Sequence, residues 1–315
     1  MPSIRPASTR QVELWQGLEQ LGDCRNPTLR WILHGFDENF EKKLHELKTT
    51  WNQKARAYYR EVLSLNTRET PLQVTWKLDD NGGFIRLVEE RYPDLDFAEL
   101  VALRRYLAEA ERVDGYFSDD MVAKNALQES RRYAESSLKA YDLKEIVKTL
   151  FQFYRRNPDS DIFGKYYLKA HAIEVYIVPC IVFSMLIEED FLDMAIGTMA
   201  HELAHGFHHV GADKDGLTWK TFSQVEPELV EGLAEFYTRE YARSIESSRP
   251  QVLRAFKKTA AYLPEPYRRY EQWGTGHGLE TVYQAFIEAR RNDVRTFDDF
   301  ENGLKEAGRR LKEGQ

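Results

Sequence analysis

Residues 191–209 read Phe-Leu-Asp-Met-Ala-Ile-Gly-Thr-Met-Ala-His-Glu-Leu-Ala-His-Gly-Phe-His-His. Leu192, Ala195, Ile196, Met199 and Leu203 recur at the spacing of a helix with one buried stripe. His201 and His205 lie four residues apart on that helix, so both rings project from one face, about 6 Å apart along the axis. Two imidazoles there can converge on one ion at Zn–N distances of about 2.0–2.1 Å. Glu202 lies about 100° further round, able to reach a water on the metal without being a ligand. That His-Glu-x-x-His pattern points to hydrolytic zinc chemistry, and chance would give about 0.02 matches in a chain of this composition.

Working outward, the chain has 315 residues, 42% hydrophobic and 30% charged, with a net charge of −7 from 44 basic and 51 acidic side chains. That is a globular balance, and it argues against nucleic acid as the main partner. Cys24 and Cys180 are the only cysteines and do not make a disulfide framework. No run of 18 apolar residues suggests a membrane span, and Met1-Pro-Ser-Ile-Arg-Pro6 has no apolar core of a signal peptide. A cytoplasmic protein is the expectation.

Upstream, helices are expected over 9–21, after Asn26-Pro27, and over 37–65, where Phe40, Leu44, Leu47, Trp51, Ala55, Tyr58 and Val62 keep helical spacing. His34 and His45 lack companions at ligand spacing and read as surface or interface residues. Residues 72–78 alternate as a strand, Asp79 to Gly83 form a turn, and Phe84–Val88 is expected to pair back as a hairpin. Helices follow from Asp94 to 111, from Ser118 to 140 and from Asp142 to 156, with a stop at Asn157-Pro158-Asp159. Residues 165–178 are rich in aromatic and β-branched side chains and read as a strand ended by Pro179, with His171 on its surface. A helical N-terminal lobe over 1–115 and a second domain over 116–315 are expected.

A zinc site needs a further ligand, and three sources offer themselves. The extended His-Glu-x-x-His-x-x-Gly-x-x-His pattern fails, because His208 stands at the glycine position and Gly211 at the last histidine. His208 lies about 10.5 Å along the helix from His201, so His208 and His209 read as edging the cleft or bonding the helix C-terminus, where a cationic histidine is favoured. The last source is a carboxylate on a following helix. Glu226-Pro227 opens one that runs to Tyr241, and it carries Glu231 and Glu235 on a shared face. Between the two helices, Asp213-Lys-Asp-Gly216 resembles the start of a calcium loop, but Gln224 stands where the closing Glu would be, so a plain turn is expected.

His201-Glu-Leu-Ala-His205 followed by Glu231-Gly-Leu-Ala-Glu235 resembles the gluzincin branch of the zinc metallopeptidases, over about residues 165–241. The resemblance implies an α+β, predominantly helical fold. It has a zincin-like catalytic domain with a small sheet and an active-site helix, behind the helical N-terminal lobe. It implies Zn2+ on His201, His205 and Glu231, with Glu235 hydrogen-bonding a ligand imidazole from behind. It implies peptide hydrolysis by a metal-activated water with Glu202 as general base, on a peptide or protein substrate that pairs with an edge strand, here residues 172–178. A downstream donor to the oxyanion is also implied, and Tyr270 and His277 are the candidates, in the aromatic stretch Pro266–His277 that Gly274, Gly276 and Gly278 make a flexible loop before a helix from about Leu279 to Arg290. The alternative for Tyr267, Tyr270 and Trp273 is packing. The tail from Arg290 to Gln315 reads as solvated helix surface. A competing expectation is a zincin-fold regulatory or partner-binding protein whose proteolysis is triggered or vestigial, and a further one is a purely structural metal site with four protein ligands.

Overall fold

The computed structural model describes residues 39–79, 83–113, 120–139, 146, 149, 162–262, 268 and 270–314. The expected helices at 9–21 and after Asn26-Pro27, and His34, lie outside these residues, as does the helix at 142–156 apart from Ile146 and Thr149. The described chain is mostly helical with one small sheet.

Helix α1 (Phe40–Glu46) passes through a π turn, Leu47–Trp51, into α2 (Asn52–Val62). Strand β1 (Gln73–Lys77) follows, then α3 (Gly83–Arg91), α4 (Phe97–Val113) and α5 (Met121–Lys139). Strands β2 (Gly164–Tyr167) and β3 (Ala172–Tyr176) lead into α6 (Ile177–Leu186) and α7 (Phe191–Val210). The C-terminal part is α8 (Pro227–Ser244), α9 (Pro250–Ala260), α10 (Tyr270–Gly276), α11 (Gly278–Arg291) and α12 (Phe297–Glu313).

Helix α7 is the axis of the molecule. Helices α2, α6, α8 and α9 and strands β2 and β3 all pack on it. The expected single stripe proves too narrow: of its residues only Gly197, His201, His209 and Val210 escape full burial. A helix enclosed on every side is apolar all round, and here the small residues Ala195, Ala200, Ala204 and Gly206 let neighbours approach. Asp190 caps its N-terminus, its Oδ1 accepting from the Leu192 amide at 2.8 Å. Asp193 in the first turn pairs with Arg249, and the Tyr59 hydroxyl donates to the Ala200 carbonyl at 2.8 Å, fixing α2 against α7.

The sheet has the order β1-β3-β2, with β1 parallel and β2 antiparallel to β3. The hairpin expected over 72–88 is therefore half right. Strand β1 forms, but its partner is β3, and Phe84–Val88 belongs to α3. Its buried residues Phe84, Ile85, Leu87 and Val88 fall on one helical face, and Asp79 Oδ2 accepts from the Ile85 amide at 2.9 Å. The strand expected over 165–178 divides at a turn, and from Ile177 the chain is helical. Pro179 sits in the first turn of α6, where its missing N–H costs no helical bond. Because β3 is the central strand, residues 172–178 cannot receive a further strand, contrary to expectation. Strand β2 is the edge that lies against α7.

Two other expectations change. Residues 270–276 are helical, not a loop, and Trp273 is buried, its Nε1 donating to Glu301 at 2.5 Å. The C-terminal tail is no solvated surface: Phe297, Phe300, Leu304 and Ala307 of α12 are buried and pack with α11. Asp96 and Asp120 accept amide hydrogen bonds at the starts of α4 and α5, and Ser118 lies outside the described residues. A single apolar core runs from Leu44 to Ala307, so the expected N-terminal lobe and second domain share one sheet and one interior.

Candidate metal centre

Helix α7 presents His201 and His205 one turn apart, and α8, packed beside it, presents Glu231 from its second turn. Pro227 at the start of α8 sets its first turn, as its position after Glu226 leads one to expect. Nε2 of His201 lies 3.0 Å from Nε2 of His205 and 3.1 Å from Oε2 of Glu231. His205 Nε2 is 3.4 Å from the same carboxylate oxygen. Tetrahedral ligands at about 2.0–2.1 Å from a zinc ion stand about 3.3 Å from one another. The three donor atoms thus already form one face of such a tetrahedron. His201, His205 and Glu231 are the one group of three or more His, Cys, Asp or Glu side chains among the described residues whose donor atoms converge closely enough to hold a metal ion.

The site is reachable from solvent on one side. The His201 side chain keeps 16% and Glu231 keeps 21% of its exposure, against 8% for His205. Behind His201, Glu235 Oε1 stands 3.4 Å from Nδ1. A carboxylate there favours the proton on Nδ1 and leaves the Nε2 lone pair aimed at the centre. Burial would raise the Glu231 carboxyl, but His205 and His201 beside it hold it well below the usual carboxylate range. Burial pushes Glu235 up to about 7, with His201 opposing and the Glu231 charge adding to the rise. An anion and two imidazole nitrogens meeting in a partly buried place suit a cation.

Glu202 is buried on the adjoining face of α7, against the edge strand. A β-carbon on Gly164 of β2 would lie 2.8 Å from Glu202 Cγ and 2.9 Å from the Glu174 carbonyl. Only glycine lets β2 pass so close to that carboxylate. Below it, Cys180 of α6 sits 3.7 Å from the Thr198 hydroxyl, and burial pushes its thiol up to about 12, with Glu202 contributing. That cysteine is a protonated packing residue at neutral pH.

The two histidines that follow the motif are not helix-terminal cations. His208 is wholly buried between Tyr237 and Phe286, with ring centroids at 5.4 and 4.8 Å. Burial, then the charges of His205, Arg290 and His201, hold it well below its usual value. His209 shares a hydrogen bond of 2.8 Å with the Tyr166 hydroxyl, and burial with the His171 charge brings it down to about 4. The cation at this helix end is Arg290 of α11, whose Nη2 donates to the carbonyls of Gly211 and Leu217. Gly211 itself is required, because a β-carbon there would meet the Phe207 carbonyl oxygen at 2.5 Å and Leu65 Cβ at 2.9 Å. The following Asp213-Lys-Asp-Gly216 segment is a turn, as expected: Asp213 Oδ1 accepts from the amides of Asp215 and Leu217, and Arg291 binds both aspartates.

The Tyr270 ring is buried, edge-on to Phe256 at 5.8 Å and under the Arg239 guanidinium at 5.4 Å. Burial and then Glu235 hold its hydroxyl well above its usual range. His277 joins α10 to α11, its Nδ1 3.6 Å from where a β-carbon on Gly308 of α12 would stand. The Tyr270 ring thus packs between α8 and α9 with its hydroxyl under the influence of Glu235, and His277 faces α12. Gly164 and the Tyr166–His209 bond were not foreseen; the glycine at the start of an aromatic strand was the available signal.

Comparison of the chain with known protein families, with curated proteins and with solved structures found no match in any of the three. No helix among the described residues is long and apolar enough to cross a membrane. What the fold and site define without a relative is a mostly helical α+β chain with a His–His–Glu group able to hold a metal ion.

Proposed function

We propose that this chain is a zinc-dependent metallopeptidase of the gluzincin type, with a zincin-like arrangement of helix and edge strand. The observation that carries the proposal is the triangle of donor atoms on His201, His205 and Glu231, with edges of 3.0, 3.1 and 3.4 Å, built on two packed helices. A zinc ion held there by three protein ligands supplies Lewis acidity and an acidified water.

The chain's own residues account for the remainder. Glu202 is not a ligand; it takes a proton at its carboxylate and returns it to the departing amine. Glu235 holds the His201 tautomer that directs Nε2 to the centre. Among the described strands β2, from Gly164 to Tyr167, lies at the edge of the sheet, where an extended peptide would add, and Gly164 brings that strand against Glu202. The substrate strand is thus assigned to β2 in place of residues 172–178.

The test is a pair of measurements on the parent chain and Glu202→Gln. The parent binds one tight zinc per chain at this centre and cleaves an unfolded protein such as denatured casein. The variant keeps that zinc and loses activity by about 10²–10⁴-fold. Equal cleavage by both would overturn the role of Glu202, and a chain without tight zinc would overturn the proposal as a whole.

A further inference from the structure

Beyond the centre, at the C-terminal end of α7, a second pair of imidazoles faces each other. His209 follows His205 by four residues, and His171 closes the turn between β2 and β3. His171 adopts φ 50°, and its carbonyl accepts from the Gln73 amide at 3.3 Å, so β1 holds the turn in place. The two rings have centroids 5.5 Å apart and planes at 61°. The pair His201 and His205 has centroids 4.6 Å apart and planes at 84°. Two imidazoles bound through nitrogen to one tetrahedral ion would have centroids about 5.2 Å apart, from bonds of about 2.0–2.1 Å.

The surroundings orient His209 as ligand imidazoles are oriented. Its Nδ1 is engaged by the Tyr166 hydroxyl at 2.8 Å, which leaves Nε2 as the free nitrogen. Phe222 stacks on it at 5.1 Å and 19°, fixing the plane. His171, Tyr166 and His209 all keep partial exposure, so an ion with its remaining water ligands can reach them. None of these residues belongs to the His201–His205–Glu231 group.

We propose that His171 and His209 form a second metal site that takes a divalent, imidazole-seeking ion of the Zn2+, Ni2+ or Cu2+ class, with Tyr166 orienting His209 and water completing the shell. The site involves no bond-making step and does not depend on the peptidase proposal. With two protein ligands it binds more weakly than the three-ligand centre.

The test is a zinc titration of the metal-free full chain, with bound ions counted by calorimetry and by elemental analysis after equilibrium dialysis. The parent takes up two ions per chain, one tight and one weaker. His171→Asn, whose asparagine tolerates the left-handed backbone of the turn, keeps the tight ion and loses the weaker one. The retained tight ion also shows that this variant is folded. Tyr166→Phe keeps both but weakens the second about 10–100-fold. His201→Asn loses the tight ion and keeps the weaker. A parent chain with a single ion, or His171→Asn with two ions bound as in the parent, overturns the site; an unchanged second affinity in Tyr166→Phe overturns the part given to Tyr166.

Discussion

Gly164 and Glu202 touch across the gap between an edge strand and the central helix: a β-carbon on the glycine would lie 2.8 Å from Glu202 Cγ and 3.0 Å from its Oε1. The carboxylate proposed to move the proton is positioned by the absence of a side chain. Gly164→Ala must shift either β2 or Glu202. The expected outcome is a kcat lowered at least tenfold with tight zinc content unchanged, and a stability loss of about 1–3 kcal/mol from overpacking. Normal kcat with the same zinc content would show that Glu202 has room to spare.

Glu235 acts on the centre through His201, from 3.4 Å behind its ring. Removing it in Glu235→Ala leaves Nδ1 without its partner. Competition with a chelator should then show zinc affinity lowered about 10–100-fold. An affinity equal to the parent would mean that another group sets the tautomer.

Much of this centre was legible in the sequence. His201, Glu202 and His205 are related by helical pitch, and Glu231 and Glu235 share a face of a second helix by the same pitch, while their separate roles came from the gluzincin resemblance. What could not be read was the relation between segments. Phe84, Ile85, Leu87 and Val88 carried a helical pattern, but the glycines before them suggested a hairpin. Strand β3 read as an edge because nothing local shows that β1, about 100 residues earlier, lies beside it. Tyr270 was a candidate oxyanion donor through the gluzincin resemblance, and the burial of its ring beside Phe256 depends on how α9 and α10 pack.

His208 gives a test of pH dependence. Its folded pKa is depressed, so below about pH 6.5 the unfolded chain takes a proton that the folded chain refuses. Folded stability therefore falls as pH is lowered below that value, with a slope of up to about 1.4 kcal/mol per pH unit from this one group. His208→Leu should remove that component. Denaturant unfolding of both chains between neutral and mildly acidic pH measures it, and parallel stability curves would contradict the assignment.

Arg290 caps the central helix from another element, donating to the carbonyls of Gly211 and Leu217. Arg290→Met keeps the length of the stem and removes the donors. A loss of about 1–3 kcal/mol is expected from the unsatisfied carbonyls, read as a lower denaturant midpoint. An unchanged midpoint would mean that water replaces the guanidinium without penalty.

The parallel pairing of β1 with β3 bears on how the chain can be cut. A fragment begun at residue 116 would lack β1 and α2. Strand β3 would be exposed along a row of backbone groups from Ala172 to Tyr176, and the Ala200 side of the central helix would lose Tyr59. Such a piece carries every proposed ligand of the three-residue centre, yet it would offer a raw strand to its own copies and aggregate. Added back as a separate polypeptide, residues 1–115 should restore solubility by supplying the missing strand, as complementing halves of one molecule do.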